Sequence, residues 1–242
     1  MAVRVLSSEN KLHQSVEPPP FDTRKWRLFI VPENVDLEQG RTMEYMWNLR
    51  LQESIDQIKF SYENYPPNQY PRMLVIGCGI GAEIKAAEML GYKATGIGFL
   101  NKAQYEYAIG QGVDMKVMDM HDLRLPNETF DVAYSSQTFE HGLHPWLMCT
   151  EVWAVLRKGG RWWINLPTWQ NTDRDGPKKE HYMILPPWFM TPLLERSRFR
   201  IVSHKDDGVA YNYLCEKIDL GFDNLNVSPI LAKRLELGRE YV

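Results

Sequence analysis

The run Met73-Leu-Val-Ile-Gly-Cys-Gly-Ile-Gly81 constrains this chain more than any other stretch. Met73 to Ile76 is an apolar run that reads as a fully buried strand. Glycines follow at 77, 79 and 81, and without Cβ atoms a chain can turn sharply there from strand to helix. Such a turn lets a ligand's polar or charged end approach backbone N–H groups at the helix start. Ala82-Glu-Ile-Lys-Ala-Ala-Glu-Met-Leu90 has helix-forming composition and stops at Gly91, as helix C-termini often do. Alone, the turn is shared by many nucleotide folds, and a tight turn with no ligand is the competing reading.

The following residues narrow the choice. Lys93-Ala-Thr-Gly-Ile-Gly98 reads as a second strand, and Asn101 caps a helix to about Gly110. Met115-Lys-Val-Met-Asp119 is a third strand ending in a carboxylate, and Phe130 to Ser136 a fourth. A helix over 144–157 follows, after which Arg157-Lys-Gly-Gly160 turns into a strand from Arg161 to Leu166. Regular alternation of strand and helix predicts a parallel sheet covered on both faces. Ligands of such sheets lie beyond the carboxyl ends of the strands, where these loops converge.

Four stretches together resemble the successive motifs of class I S-adenosylmethionine-dependent methyltransferases. They are Val75 to Gly81, Met118 to Pro126, Phe130 to His141, and Leu156 to Pro167. The resemblance spans roughly residues 70–217 and is strongest to the small-molecule group called type 11. It implies an α/β Rossmann-like fold, a seven-stranded mostly parallel sheet flanked by helices, with S-adenosylmethionine as cofactor. On these positions it implies cofactor contacts at Gly77, Gly79, Gly81, Gly98, Asp119, Met120 and Ser135. Asp119 would accept from the adenine amino group, and Ser135, Ser136 and Gln137 would line the methionine portion.

Two carboxylates common in that family are missing. The residue two before the first glycine is Val75, and the second strand ends in Gly98 where an acid usually accepts from both ribose hydroxyls. Charge-assisted contacts are worth roughly 1.5–3 kcal/mol each, so the loss weakens binding unless Asn101 or Gln104 substitutes. The competing reading is a degenerate methyltransferase fold that acts as a non-catalytic scaffold.

Methyl transfer needs an acceptor held in line and sometimes a base. His141, in the pair Glu140-His141, and His181, at the end of a long polar loop, are the base candidates, since imidazole titrates near neutral pH. Each histidine also suits a purely structural hydrogen bond. Trp169, Tyr182, Trp188 and Phe189 form either an aromatic lid over an organic acceptor or packing beneath one; Trp153, Trp162 and Trp163 read as core. No metal site is expected, because neither the histidines nor Cys78, Cys149 and Cys215 stand at ligand spacing.

The 242 residues fit one α/β domain with additions. The division expected is an arm and cap helix over 1–70, the Rossmann domain over 71–218 and an extension over 219–242. Within the first, Trp26 to Pro32 suggests a strand or docking arm. Met43, Met46, Trp47, Leu51, Ile55, Ile58 and Tyr62 recur at helical spacing and read as core. Thr191-Pro192 reads as the start of a short helix, and Phe199–His204 with Tyr211–Ile218 as an antiparallel edge pair. Ser228-Pro229 opens a final helix over 230–240. Apolar residues in both terminal segments suggest either a homo-oligomer or protein assembly, or segments that fold back and extend their own domain's core.

Net charge of −3 argues against nucleic acid as partner. The fourth strand also ends in Ser135-Ser-Gln-Thr138 rather than an Asn/Asp-Pro-Pro-Tyr/Phe motif. No apolar run is long enough for a membrane span, and the first ten residues lack a signal-peptide core, so a cytoplasmic setting is expected. The expected acceptor is a small organic molecule.

Overall fold

A computed structural model describes residues 42–60, 62–100, 102–168, 181–183 and 185–218. The proposed docking arm, the cap at Asn101, most of the loop after Pro167 and the helix over 230–240 lie outside those residues. The chain opens with α1 (Met43–Phe60), then β1 (Arg72–Ile76), α2 (Ala82–Met89), β2 (Lys93–Gly98), α3 (Lys102–Gly110) and β3 (Met115–Val117). It continues with β4 (Phe130–Ser136), a 3-10 turn (Phe139–His141), α4 (Pro145–Val155), β5 (Leu156–Pro167), α5 (Pro187–Arg196), β6 (Phe199–Asp206) and β7 (Ala210–Lys217).

The strands form one seven-stranded sheet in the order β3-β2-β1-β4-β5-β7-β6. Pairings from β3 through β5 are parallel, while β7 runs antiparallel to both neighbours. This is the Rossmann-like methyltransferase arrangement expected from the motif order. The path leaves β1 toward β2 and β3, then returns to its other side with β4. The crevice between the carboxyl ends of β1 and β4 is therefore the topological switch point.

Alternation along each strand explains the two cores. On one face Met73 and Val75 of β1, Val132 and Tyr134 of β4 and Trp163 of β5 meet Trp47 and Ile58 of α1 and the alanines of α2. On the other, Leu74, Ile76, Ala133, Trp162 and Ile164 pack with Met148 and Val152 of α4 and Met190 and Leu194 of α5. With both faces covered, β1 is apolar at every position from Met73 to Ile76, as a central parallel strand must be. Trp47 and Ile58 are core residues, as their helical spacing suggested.

Several element boundaries differ from the sequence reading. The third strand stops at Val117, which leaves Asp119 on a loop. The fifth begins at Leu156 rather than Arg161, with an irregular register opposite Phe130 and Val132. Arg157 holds this early segment to Asp131 by an ion pair. Helix α5 starts at Pro187, capped by Pro186, so Pro192 lies inside the helix instead of opening it. A proline at N1 needs no N–H, which makes Pro187 an equally good start. The last two strands form the expected antiparallel pair at one edge of the sheet, with β6 outermost and β7 between β5 and β6, where it carries a mostly buried sequence.

Candidate functional site

The glycine turn sits at the switch point, and its glycines serve different ends. Gly77 has φ +72, and a Cβ there would lie 2.2 Å from Thr138 Oγ1. It therefore lets β1 and the loop after β4 meet, with Thr138 Oγ1 donating to the Ile76 carbonyl at 3.2 Å. Gly81 has φ +93, a Cβ there would stand 3.0 Å from Val113, and it caps α2. Gly79 differs: at φ +48, the only neighbour among the described residues within 4 Å of its Cβ position is Glu83 Oε2, at 3.9 Å. The N–H groups of Gly77 and Cys78 are already spent on the Ile97 carbonyl, at 2.8 and 3.1 Å. Among the described residues, no such bond uses the N–H of Gly79 or Ile80, so these are the donors left for a ligand.

Gly98 ends β2 beside this turn. Its Cβ position lies 3.6 Å from the Cys78 backbone nitrogen and 3.7 Å from Sγ, ordinary contact distances, so a side chain fits there. Cys78 is fully buried, and burial pushes its thiol well above the ordinary range. Its small side chain packs against Gly96, where a Cβ would come within 2.8 Å of Sγ.

Asp119 Oδ1 accepts from the His121 backbone at 2.8 Å and pairs with His121 Nδ1 at 2.7 Å. His121 Nε2 in turn accepts from the N–H groups of Leu143 and His144, at 3.2 and 3.3 Å. That arrangement assigns the ring proton to Nδ1, which donates to the carboxylate. Burial alone would raise the Asp119 carboxyl, but the bonds from His121 outweigh it and hold it below the ordinary value. Both bonds end on Oδ1, so neither of them uses Oδ2. Met120 is partly buried against the core nearby.

Ser135 is placed differently from the sequence picture. It is 1% exposed, and its hydroxyl accepts from Trp162 Nε1 at 3.1 Å on the α4 side of the sheet. Its neighbours point the other way, under α1: Tyr134 Oη and Ser136 Oγ both donate to Gln57 Oε1, at 2.7 and 3.2 Å. Gln57 thus ties the leading helix to the end of β4. Glu83, in the first turn of α2, shares this region. Its Oε2 is buried without a hydrogen-bond partner, and burial pushes its carboxyl up to about 7. The sequence did not single out Gln57 or Glu83, because each reads locally as an ordinary polar helix position.

At the 3-10 turn after β4 a second constellation forms. Glu140 is 1% exposed, and the rings of His141 and His181 meet edge to face at 5.0 Å. Backbone bonds from Tyr182 and Met183 to the Glu140 carbonyl, at 3.0 and 3.2 Å, bring the returning loop back to this turn. One ligand atom from each of Glu140, His141 and His181 lies within 4.8 Å of the others. The sequence suggested no metal pattern because some 40 residues separate the two histidines; the fold removes that distance.

An apolar groove of about 480 Å³ begins two residues beyond His141. Leu143, Pro145 and Trp146 line one side, and Trp188, Phe189 and Leu193 of α5 the other. Trp188 is 75% exposed. Trp153, Trp162 and Trp163 are buried, as expected of core residues. Another groove, of about 550 Å³, borders Arg72 and Lys93 at the amino ends of β1 and β2, remote from the converging loops.

Residues 74–164 match the family model described as "Methyltransferase domain", of type 11. Among curated proteins, none matches the sequence. Solved structures with the same fold include a possible histamine N-methyltransferase from Thermotoga maritima, 17% identical (TM-score 0.56, covering 71% of this chain and 93% of that one). A putative methyltransferase from Haloferax volcanii, solved with the methyltransferase activator Trm112, is 12% identical (TM-score 0.58, covering 70% and 94%). The [4+2]-cyclase SpnF is 16% identical (TM-score 0.57, covering 68% and 80%).

Proposed function

Taking residues 74–164 as a class I S-adenosylmethionine-dependent methyltransferase domain of type 11, we propose that the protein methylates an oxygen or nitrogen of a small organic acceptor. The observation that carries this reading is the cradle at Gly79, where positive φ and open space meet two N–H donors. Such a cradle fits the amino-acid end of S-adenosylmethionine, which supplies a methyl on a positively charged sulfur. Gly79 and Ile80 would donate to its carboxylate, and Glu83, beside Gly79, would face its ammonium in place of an acid at Val75. Asp119 Oδ2 would accept from the adenine amino group, with Met120 beside the ring. At Gly98, Gln104 is the described residue that could replace the missing ribose acceptor.

Without a bound ion, His141 and His181 would take the acceptor's proton, and the apolar groove beside His141 would hold its organic body. A positioned base contributes typically 10²–10⁴-fold, so His141→Ala and His181→Ala should lower turnover with a responsive acceptor while cofactor affinity stays near wild type. Full activity in both variants and in the double variant would remove the base assignment. The Haloferax relative's partner makes a protein activator a reasonable companion here, alongside self-association through the terminal segments.

Calorimetric titration with S-adenosylmethionine and its demethylated product tests the reading directly. Micromolar binding by the wild type and none by Gly79→Val is the expected result. A folded wild type that binds neither nucleoside would favour the scaffold alternative, which the acid-free positions Val75 and Gly98 support.

A further inference from the structure

We propose that Glu140, His141 and His181 bind a divalent cation, and that this ion, of the zinc or manganese kind, takes an oxygen of the acceptor as a further ligand. Three observations converge on it. The ligand atoms already lie within 4.8 Å of one another. Bonds of about 2.0–2.2 Å would bring tetrahedral ligand atoms roughly 3.4 Å apart, so side-chain rotations suffice to close the shell. The ligands are also of the right kind, since two imidazoles and one carboxylate suit a borderline ion and leave coordination positions open.

The support for these side chains is the second observation. Glu140 and His141 lie on a single 3-10 turn that follows β4 directly, and the carbonyl of Glu140 receives two N–H groups from the segment carrying His181. The third ligand is thereby fastened to the first two by backbone.

The third is position. The turn begins one residue after Thr138, which packs on Gly77 of the glycine turn, and the apolar groove starts two residues after His141. The ion would stand between the cofactor cradle and the acceptor groove. There it would lower the pKa of a bound hydroxyl, as divalent ions do for coordinated water. With both imidazoles engaged as ligands, the ion would replace them as the activating group. The acceptor O–H proton would leave to solvent as the O–CH₃ bond forms and the S–CH₃ bond breaks, turning the sulfonium into a neutral thioether. This part rests on the methyltransferase reading and selects an oxygen acceptor over a nitrogen; the ion site itself does not.

The test uses the full chain, stripped with a chelator and titrated by calorimetry with zinc chloride or manganese chloride. Cobalt(II) provides a visible spectrum of the coordination shell. One equivalent should bind, weakening as pH falls because imidazole ligands take up protons. Glu140→Gln, His141→Ala and His181→Ala should each weaken binding at least tenfold. Glu140→Gln keeps the buried side chain's shape, and circular dichroism of every variant separates lost ligation from lost folding. No stoichiometric binding, or binding unchanged in all three folded variants, would overturn the site. S-adenosylhomocysteine titrated into the same stripped protein reports on the cofactor cradle independently. Metal binding without nucleoside binding would therefore fail the methyltransferase reading and keep the ion site.

Discussion

Three glycines at the carboxyl ends of β1 and β2 predict three different outcomes on substitution. Gly77→Ala drives a Cβ into Thr138 at 2.2 Å and adds left-handed strain, so unfolding free energy should fall by about 2–4 kcal/mol in denaturant titration. Gly79→Ala meets no such contact and should cost only about 1–2 kcal/mol. Gly98→Asp has room for its Cβ and restores a charge-assisted acceptor. It should tighten cofactor binding about tenfold by calorimetry; weaker binding by a folded variant would show that the loop geometry has diverged. Glu83 gives a pH signature. Its carboxyl sits near 7 in the folded protein, raised from 4.5 by burial. The folded state thus holds a proton that the unfolded state has released, and stability should fall as pH rises from 4.5 to 7 and then level off. Glu83→Gln should abolish that slope. If Glu83 receives the cofactor ammonium, wild-type affinity should rise through the same range and the variant's should not.

Elements are held in place by a few polar contacts at their ends. Gln57 accepts from Tyr134 and Ser136 beneath α1, while the Tyr134 ring stacks on Trp163 at 4.7 Å. Gln57→Leu leaves the buried phenol without its acceptor and should cost about 1–3 kcal/mol. It should also loosen α1 over the cofactor cradle, which hydrogen exchange along residues 43–60 would report. At the opposite end of the sheet, Asp131 accepts from the Arg72 backbone and guanidinium and pairs with Arg157. Burial pulls its carboxyl up, yet the bonds from both arginines win and hold it below the ordinary 3.8. The resulting stabilisation is full above that ordinary value and is lost as pH falls through the lowered one. Asp131→Asn should destabilise by about 2–3 kcal/mol at neutral pH. The difference from wild type should shrink on acidification below 3.8 in thermal melts.

For the molecule as a whole, ligand binding and folding are linked. A nucleoside bound as proposed, between β1, β2 and β4, would touch loops from both halves of the sheet, so its binding would stabilise the entire domain. At a hundredfold excess over Kd the gain is about 2.7 kcal/mol, which should raise Tm by roughly 5–10 °C in a chain of this size. Saturating S-adenosylhomocysteine without a shift would argue for the scaffold reading. No helix among the described residues is long and apolar enough to cross a membrane.

Local sequence determined much of the architecture. Alternating buried strands and the glycine turn specify a parallel sheet with its crevice beyond Ile76, because short-range patterns encode burial and chain reversal. Gly79, Gly98 and Asp119 stood out as candidates on the same ground, because each lies at or just beyond the carboxyl end of a strand. Other features needed the tertiary structure. Gly77 is required by Thr138, a residue 61 positions away, so its packing role was invisible beside its motif role. Ser135 and Ser136 are adjacent in sequence, yet the pleat sends one to Trp162 and the other to Gln57. The start of α5 turned on which of two prolines opened it, a choice that local propensity leaves open. Glu140 and His141 meet His181 only because residues 181–183 lie against the turn after β4. A sheet with parallel crossovers brings distant segments together at its carboxyl edge, and proximity of that kind is a property of topology rather than of any local run of residues.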